Sequence, residues 1–150
     1  MVATAIREEV QTLLSQKPEN AKILDTIMNW NLDVVKQRVA KDYPDIDVEK
    51  ATQEYRYFMY LACIDPSQFG PSKEMDSIWH THILFTRDYF AFSEACYGTY
   101  IHHTPLIVKA TMEQKENEFR RLCSLAMAHF GLIPFTLKEI ICCSNACCCK

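Results

Sequence analysis

At 150 residues, with 49% apolar and 23% charged side chains, the chain is long enough for one domain with a substantial core and too apolar for a disordered polymer. A net charge of -3 argues against a broad basic surface for nucleic acid, and three glycines with six prolines are too few for a turn-rich, many-stranded sandwich. The composition also excludes collagen and a disulfide miniprotein.

Met1 is followed by Val2, Ala3 and Thr4 and then by the charged residues Arg7, Glu8 and Glu9, so the apolar segment of a secretory signal is missing. No apolar stretch approaches the length of a membrane span. A cytoplasmic protein with mostly reduced thiols is the expectation. Ile6, Val10, Leu13 and Leu14 recur at helical spacing, and Lys17-Pro18 ends that helix. A second helix starts near Pro18 or Glu19 and turns Ile23, Leu24, Ile27 and Trp30 inward. Asn31 caps a third, with Leu32, Val35 and Val39 inward, and Tyr43-Pro44 stops it. Asp45 or Asp47 caps a fourth, carrying Val48, Ala51, Tyr55, Phe58, Met59 and Ala62 on its apolar side. Asp65-Pro66 and Gly70-Pro71 bracket a loop.

Pro71-Ser72 opens the most apolar helix, which runs to about Tyr97 with Gly98 as its stop. Ile78, Trp79, Ile83, Leu84, Phe85, Tyr89, Phe90 and Phe92 leave it little polar face, and such a helix belongs in the middle of a bundle. Another helix covers roughly Ile107 to Phe130, closed by Gly131. Thr136 and Glu139 form a capping box for a last short helix through Ile140 and Ile141. No strand pattern, internal repeat or domain-splitting linker is visible. The reading is all-α: a single-domain bundle of about six helices, with a helical domain over 1–135 and a short helix and cysteine-rich tail over 136–150. Cys63, Cys96 and Cys123, each alone in an apolar helical pattern, read as small buried hydrophobes.

His80, His82, His102 and His103 lie close together in sequence, as Asp76-Ser77-Ile78-Trp79-His80-Thr81-His82 and then Gly98-Thr99-Tyr100-Ile101-His102-His103-Thr104-Pro105. Imidazoles with a carboxylate suit a divalent transition ion, zinc ahead of iron, nickel or manganese. At roughly 100° per residue, Asp76 and His80 share one helical face a turn apart, whereas His80 and His82 are roughly 200° apart. The most economical metal site is therefore Asp76, His80 and one of the loop pair, His103 ahead of His102, with His82 joining only if the backbone bends. The competing reading is a polar network without metal, in which Asp76 accepts from His80 while His82 bonds Thr86, Tyr89 or a backbone carbonyl. A three-ligand site with an open position also suits catalysis, with Glu74, Glu94 or Tyr89 as acid or base, but nothing in the residues fixes a reaction. His129, near the end of its helix, reads as a dipole or surface group.

Asp76-x-x-Trp79-His80-x-His82, Tyr89, Gly98 and His102-His103-x-Pro105 resemble the glycine-rich-domain-like protein family, most densely between Pro71 and Pro105. Glu54, Tyr55, Arg56 and Phe58 are compatible with that family's lead-in helix. The resemblance implies a small helical domain with a shared polar site over Asp76, Trp79, His80, His82, Tyr89 and His103, and it brings no established reaction. The chain departs from that pattern in having Ser93 where members often have Cys, and in lacking a glycine-rich extension.

Cys142, Cys143, Cys147, Cys148 and Cys149 crowd the last nine residues. Such a tract is not core packing. It can bind a soft ion, be S-acylated for peripheral membrane attachment alongside Ile140 and Ile141, or have no role. The last four residues fail the prenylation pattern. A protein partner is expected only in the reading of the domain as an interaction or scaffold module; Glu113, Glu116 and Glu118 among Lys109, Lys115, Arg120 and Arg121 make a solvated helix face rather than a nucleic-acid patch. Phosphate loops and the nucleophile-elbow motif are absent from the sequence.

Overall fold

The computed structural model describes residues 18–64, 72–103 and 111–131. The expected helices over Ile6–Leu14 and Thr136–Ile141, and the tail cysteines, lie outside the described residues. Six α-helices and no strand occur among the described residues: α1 (Pro18–Asn29), α2 (Asp33–Asp42), α3 (Val48–Ile64), α4 (Lys73–Leu84), α5 (Thr86–Tyr97) and α6 (Met112–Phe130). They form an all-α bundle. No described helix is long and apolar enough to cross a membrane.

The first three helices follow their sequence signals. Ile27 and Leu24 are buried on α1, with Ile23 and Trp30 packed against the core. Asn31 Oδ1 accepts from the Asp33 backbone N–H at 3.0 Å and so caps α2 from just outside it. Leu32, Val35 and Val39 are buried, and Tyr43 ends the helix. Asp47 Oδ1 accepts from the Lys50 N–H at 3.2 Å at the start of α3. Residues on every side of α3 are buried, from Ala51, Thr52, Glu54 and Tyr55 to Phe58–Leu61. It packs against α1, α2, α4 and α5, and Tyr57 and Tyr60 meet Phe130 of α6 at ring-centroid distances of 4.9 and 5.4 Å. The middle of the bundle is therefore shared between α3 and the 73–97 segment.

That segment is two helices rather than one. Ser72 Oγ accepts from the Met75 N–H at 3.1 Å to open α4, and Gly98, at φ 82°, closes α5 in the left-handed conformation that glycine adopts without strain. Between them the chain breaks at Phe85 (φ -84°, ψ 70°), where no glycine or proline stands. Side-chain bonds across the break account for it. His82 and Asp88 meet at 2.8 Å and Trp79 and Tyr89 at 2.9 Å. On an unbroken helix those pairs would be about 9 Å and about 15 Å apart along the axis. α6 starts at Met112 rather than near Ile107, because Thr111 and Gln114 form a reciprocal capping box; Gly131 closes it as expected. Phe119, Leu122, Cys123, Ala126 and Phe130 form its buried face. Cys96 is likewise buried and Cys63 half-buried. Burial pushes the Cys63 and Cys96 thiols up to about 12, so they stay protonated at neutral pH.

Arg56 of α3 ties off α1. Its Nη1 donates to the carbonyl of Ile27 (2.6 Å), in the last turn of α1, and to that of Trp30 (2.9 Å), just past its end; the Ile27 carbonyl also accepts from the Trp30 N–H at 3.3 Å. Arg56→Ala should lower the unfolding free energy by about 2 kcal/mol, read as a reduced urea midpoint at unchanged m-value, with Arg56→Lys recovering only part of it. An unchanged midpoint for Arg56→Ala would show that water replaces the guanidinium at no cost.

Candidate metal centre

Asp76 and His80 project from one face of α4, four residues apart. His103 reaches the same point from the strap that follows Gly98. His103 Nε2 lies 2.7 Å from Asp76 Oδ1 and 3.1 Å from His80 Nε2, and His80 Nε2 lies 3.4 Å from Asp76 Oδ1. Two imidazoles thus present the same ring nitrogen to one carboxylate oxygen. The side chain of His103 is 11% exposed, that of Asp76 36% and that of His80 52%, so the cluster has a covered and an open side.

The strap is held where it is by a buried chain of bonds. Trp79 Nε1–H donates to the Tyr89 hydroxyl, which donates in turn to the Ile101 carbonyl. The Trp79 ring also packs on His103 at a centroid distance of 4.2 Å. Burial pushes the Tyr89 hydroxyl up to about 12, and with its proton bound to Ile101 this group is a strap anchor rather than an acid–base catalyst.

Hydrogen bonds alone satisfy this triangle poorly. A carboxylate only accepts, and each Nε2 offers either one proton or one lone pair. If both rings are protonated there, two N–H groups face one another across 3.1 Å. If only one is, two lone-pair atoms are left competing for a single proton. A cation at the centre takes a lone pair from all three.

His82 and His102, also expected among the ligands, are placed outside the cluster. His82 is wholly buried on another face of α4. Its Nε2 faces Asp88 Oδ2 at 2.8 Å and its Nδ1 faces the Tyr55 hydroxyl at 2.7 Å. Because Asp88 accepts, Nε2 carries the proton and Nδ1 accepts from Tyr55. Burial lowers the His82 pKa, the bond to Asp88 and its negative charge oppose that, and the Arg56 charge adds to the lowering. Asp88 Oδ2 also accepts from Trp30 Nε1 at 3.1 Å. The partners expected for His82 were Thr86, Tyr89 or a carbonyl; Tyr89 is an edge-on ring neighbour only, at 5.1 Å. Asp88, Tyr55 and Trp30 carried no signal for this network, because the bond between 82 and 88 exists only with the chain broken at Phe85. His102 is exposed and stands edge-on to Tyr100 at 4.9 Å. Glu94 is exposed on α5, and Glu74 is half-buried in the first turn of α4. His129 is half-buried, edge-on to Tyr60 at 6.2 Å.

Fold and site together define a helical-bundle protein with a two-histidine, one-carboxylate cluster at its surface. The sequence model of the UCP032817-like family matches residues 20–141, and the chain belongs to that family. This corrects the resemblance to the glycine-rich-domain-like family, which rested on the local pattern between Pro71 and Pro105, whereas the match spans most of the chain. No curated protein and no solved structure matches the chain.

Two outcomes follow from the two networks. Tyr89→Phe leaves the Trp79 N–H and the Ile101 carbonyl without their partner and should cost about 2 kcal/mol, measured by urea unfolding. For His82, the folded state holds the pKa below its ordinary 6.5, so as pH falls the unfolded chain takes up the proton first. Its contribution is therefore intact above pH 6.5 and declines as pH falls below that value. His82→Gln should be less stable than the parent at pH 7.5 yet lose stability less steeply on acidification, measured as urea midpoints across a pH series. An acid slope equal to the parent's would remove His82 as its source.

Proposed function

We propose that this protein is a metal-binding helical domain whose ligands are Asp76 Oδ1, His80 Nε2 and His103 Nε2, and whose ion is a divalent transition metal, zinc ahead of iron, nickel or manganese. The observation that carries this reading is the convergence of both Nε2 atoms and one carboxylate oxygen on a single point, with edges of 2.7, 3.1 and 3.4 Å. Zinc bonds of about 2.0–2.1 Å in a tetrahedral site place neighbouring ligand atoms about 3.3 Å apart, close to two of those edges. The donor types suit such an ion, and Trp79 and Tyr89 give His103 the fixed orientation that a ligand needs. Because one ligand comes from the strap and two from α4, the ion would fasten the strap to the bundle and stabilise the fold by about 2.7 kcal/mol at a free concentration of 100 Kd.

The contact between Asp76 and His103 is itself of hydrogen-bond length, which favours a second reading: an interaction module in which the cluster only holds the strap. Elemental analysis of protein purified without a histidine tag separates the two. A full-length variant with Cys142, Cys143, Cys147, Cys148 and Cys149 changed to serine excludes tail-bound metal. One equivalent should be retained by that variant. His80→Ala and His103→Ala should each weaken binding by more than the roughly 10–100-fold that loss of an outer-shell partner costs. Metal content indifferent to His80→Ala, or a metal-free protein whose unfolding is unmoved by zinc, overturns the proposal in favour of the second reading.

A further inference from the structure

We propose that the metal ion at Asp76, His80 and His103 keeps its outward coordination positions open and binds a small monoanion there directly; this rests on the metal-binding reading above. Asp76, His80 and His103 are the group with metal-ligand geometry among the described residues, and each gives one atom. The two other imidazoles nearby in sequence are held elsewhere. Both nitrogens of His82, a side chain with no solvent exposure, are engaged by Tyr55 and by the half-buried Asp88. His102 is exposed beside Tyr100.

The exposure of the three ligands gives the centre a direction. His103 forms its covered side, packed on Trp79, while the Asp76 and His80 side chains are 36% and 52% exposed. Structural zinc sites are closed by four protein ligands, whereas three protein ligands leave positions for water or another molecule. Two histidines and one carboxylate on a single side of the ion are likewise the arrangement that leaves exchangeable positions. Charge selects the ligand. Two neutral imidazoles and one carboxylate leave a divalent ion with one net positive charge, in a site half open to water, so a monoanion with an oxygen or nitrogen donor neutralises it. Binding is a ligand exchange: the anion donates a lone pair to the metal, a bound water leaves with its own, and nothing is oxidised or reduced.

Cobalt(II) reports this directly, because its visible d–d bands follow coordination number and ligand type. The full-length chain with the five tail cysteines changed to serine is loaded with one equivalent of cobalt(II) and titrated with azide, then with acetohydroxamate. Both should shift the bands saturably, and His80→Ala and Asp76→Asn, checked for helix content by circular dichroism, should abolish the response. One bound cobalt, lost in His80→Ala but with bands indifferent to both anions, overturns this inference while leaving the metal site standing. So does a cobalt-dependent dimer in sedimentation, since a second copy would then be supplying the missing ligand. Failure to bind cobalt or zinc at all removes the metal reading and this inference with it.

Discussion

The bond between His82 and Asp88 is the constraint on which the rest of the molecule depends. It joins α4 to α5 across a break that no proline or glycine produces, and through the other ring nitrogen it reaches Tyr55 in the middle of the bundle. Asp88 also takes the Trp30 indole proton, so one carboxylate and one imidazole connect the end of α1, α3, α4 and α5. A neutral imidazole fits this position without an unpaired atom: it has one proton for the carboxylate and one lone pair for the phenol. Asp88 is half-buried but the His82 ring is wholly buried, so an arrangement of helices that parted the two would strand a ring nitrogen away from water.

Two residues away on the same helix, His80 does the opposite. The helical turn sends it outward to Asp76, and the polypeptide returns with His103 to meet it. The His-x-His pair is thus divided between a buried scaffold and a surface cluster, by no more than a rotation of roughly 200°. The two sets also communicate through packing. Tyr89 sits edge-on to the His82 ring and anchors the strap that carries His103, while Trp79 bonds Tyr89 with its indole nitrogen and covers His103 with its ring.

Much of this was legible in the residues. Period and capping signals located α1, α2 and α3, glycines marked the ends of α5 and α6, and the i, i+4 relation of Asp76 and His80 followed from helix geometry alone. What could not be read was the break at Phe85. Thr81-His82-Ile83-Leu84-Phe85-Thr86-Arg87-Asp88 contains no residue that avoids helix strongly enough to stop one, and the partners that stop it are distant in sequence or on the wrong face of a continuous helix. Asp88 and Tyr55 were accordingly invisible as partners of His82. The start of α6 was legible in principle, since Thr111-x-x-Gln114 is a capping signature, but the apolar Ile107 and Val108 drew the expected boundary upstream.

The twelve residues of α5 act as a ruler. Its exposed positions, among them Arg87, Phe90, Ala91 and Glu94, face water rather than the core. Its length is not free. One residue gained or lost after Tyr89 would swing Gly98 by about 100° and displace it by about 1.5 Å, carrying the strap away from the tyrosine that anchors it and His103 away from its two companions. Insertions and deletions in this stretch should therefore be far rarer among related chains than substitutions, and the spacing from His80 to His103 becomes a more telling mark of the cluster than any single residue between them.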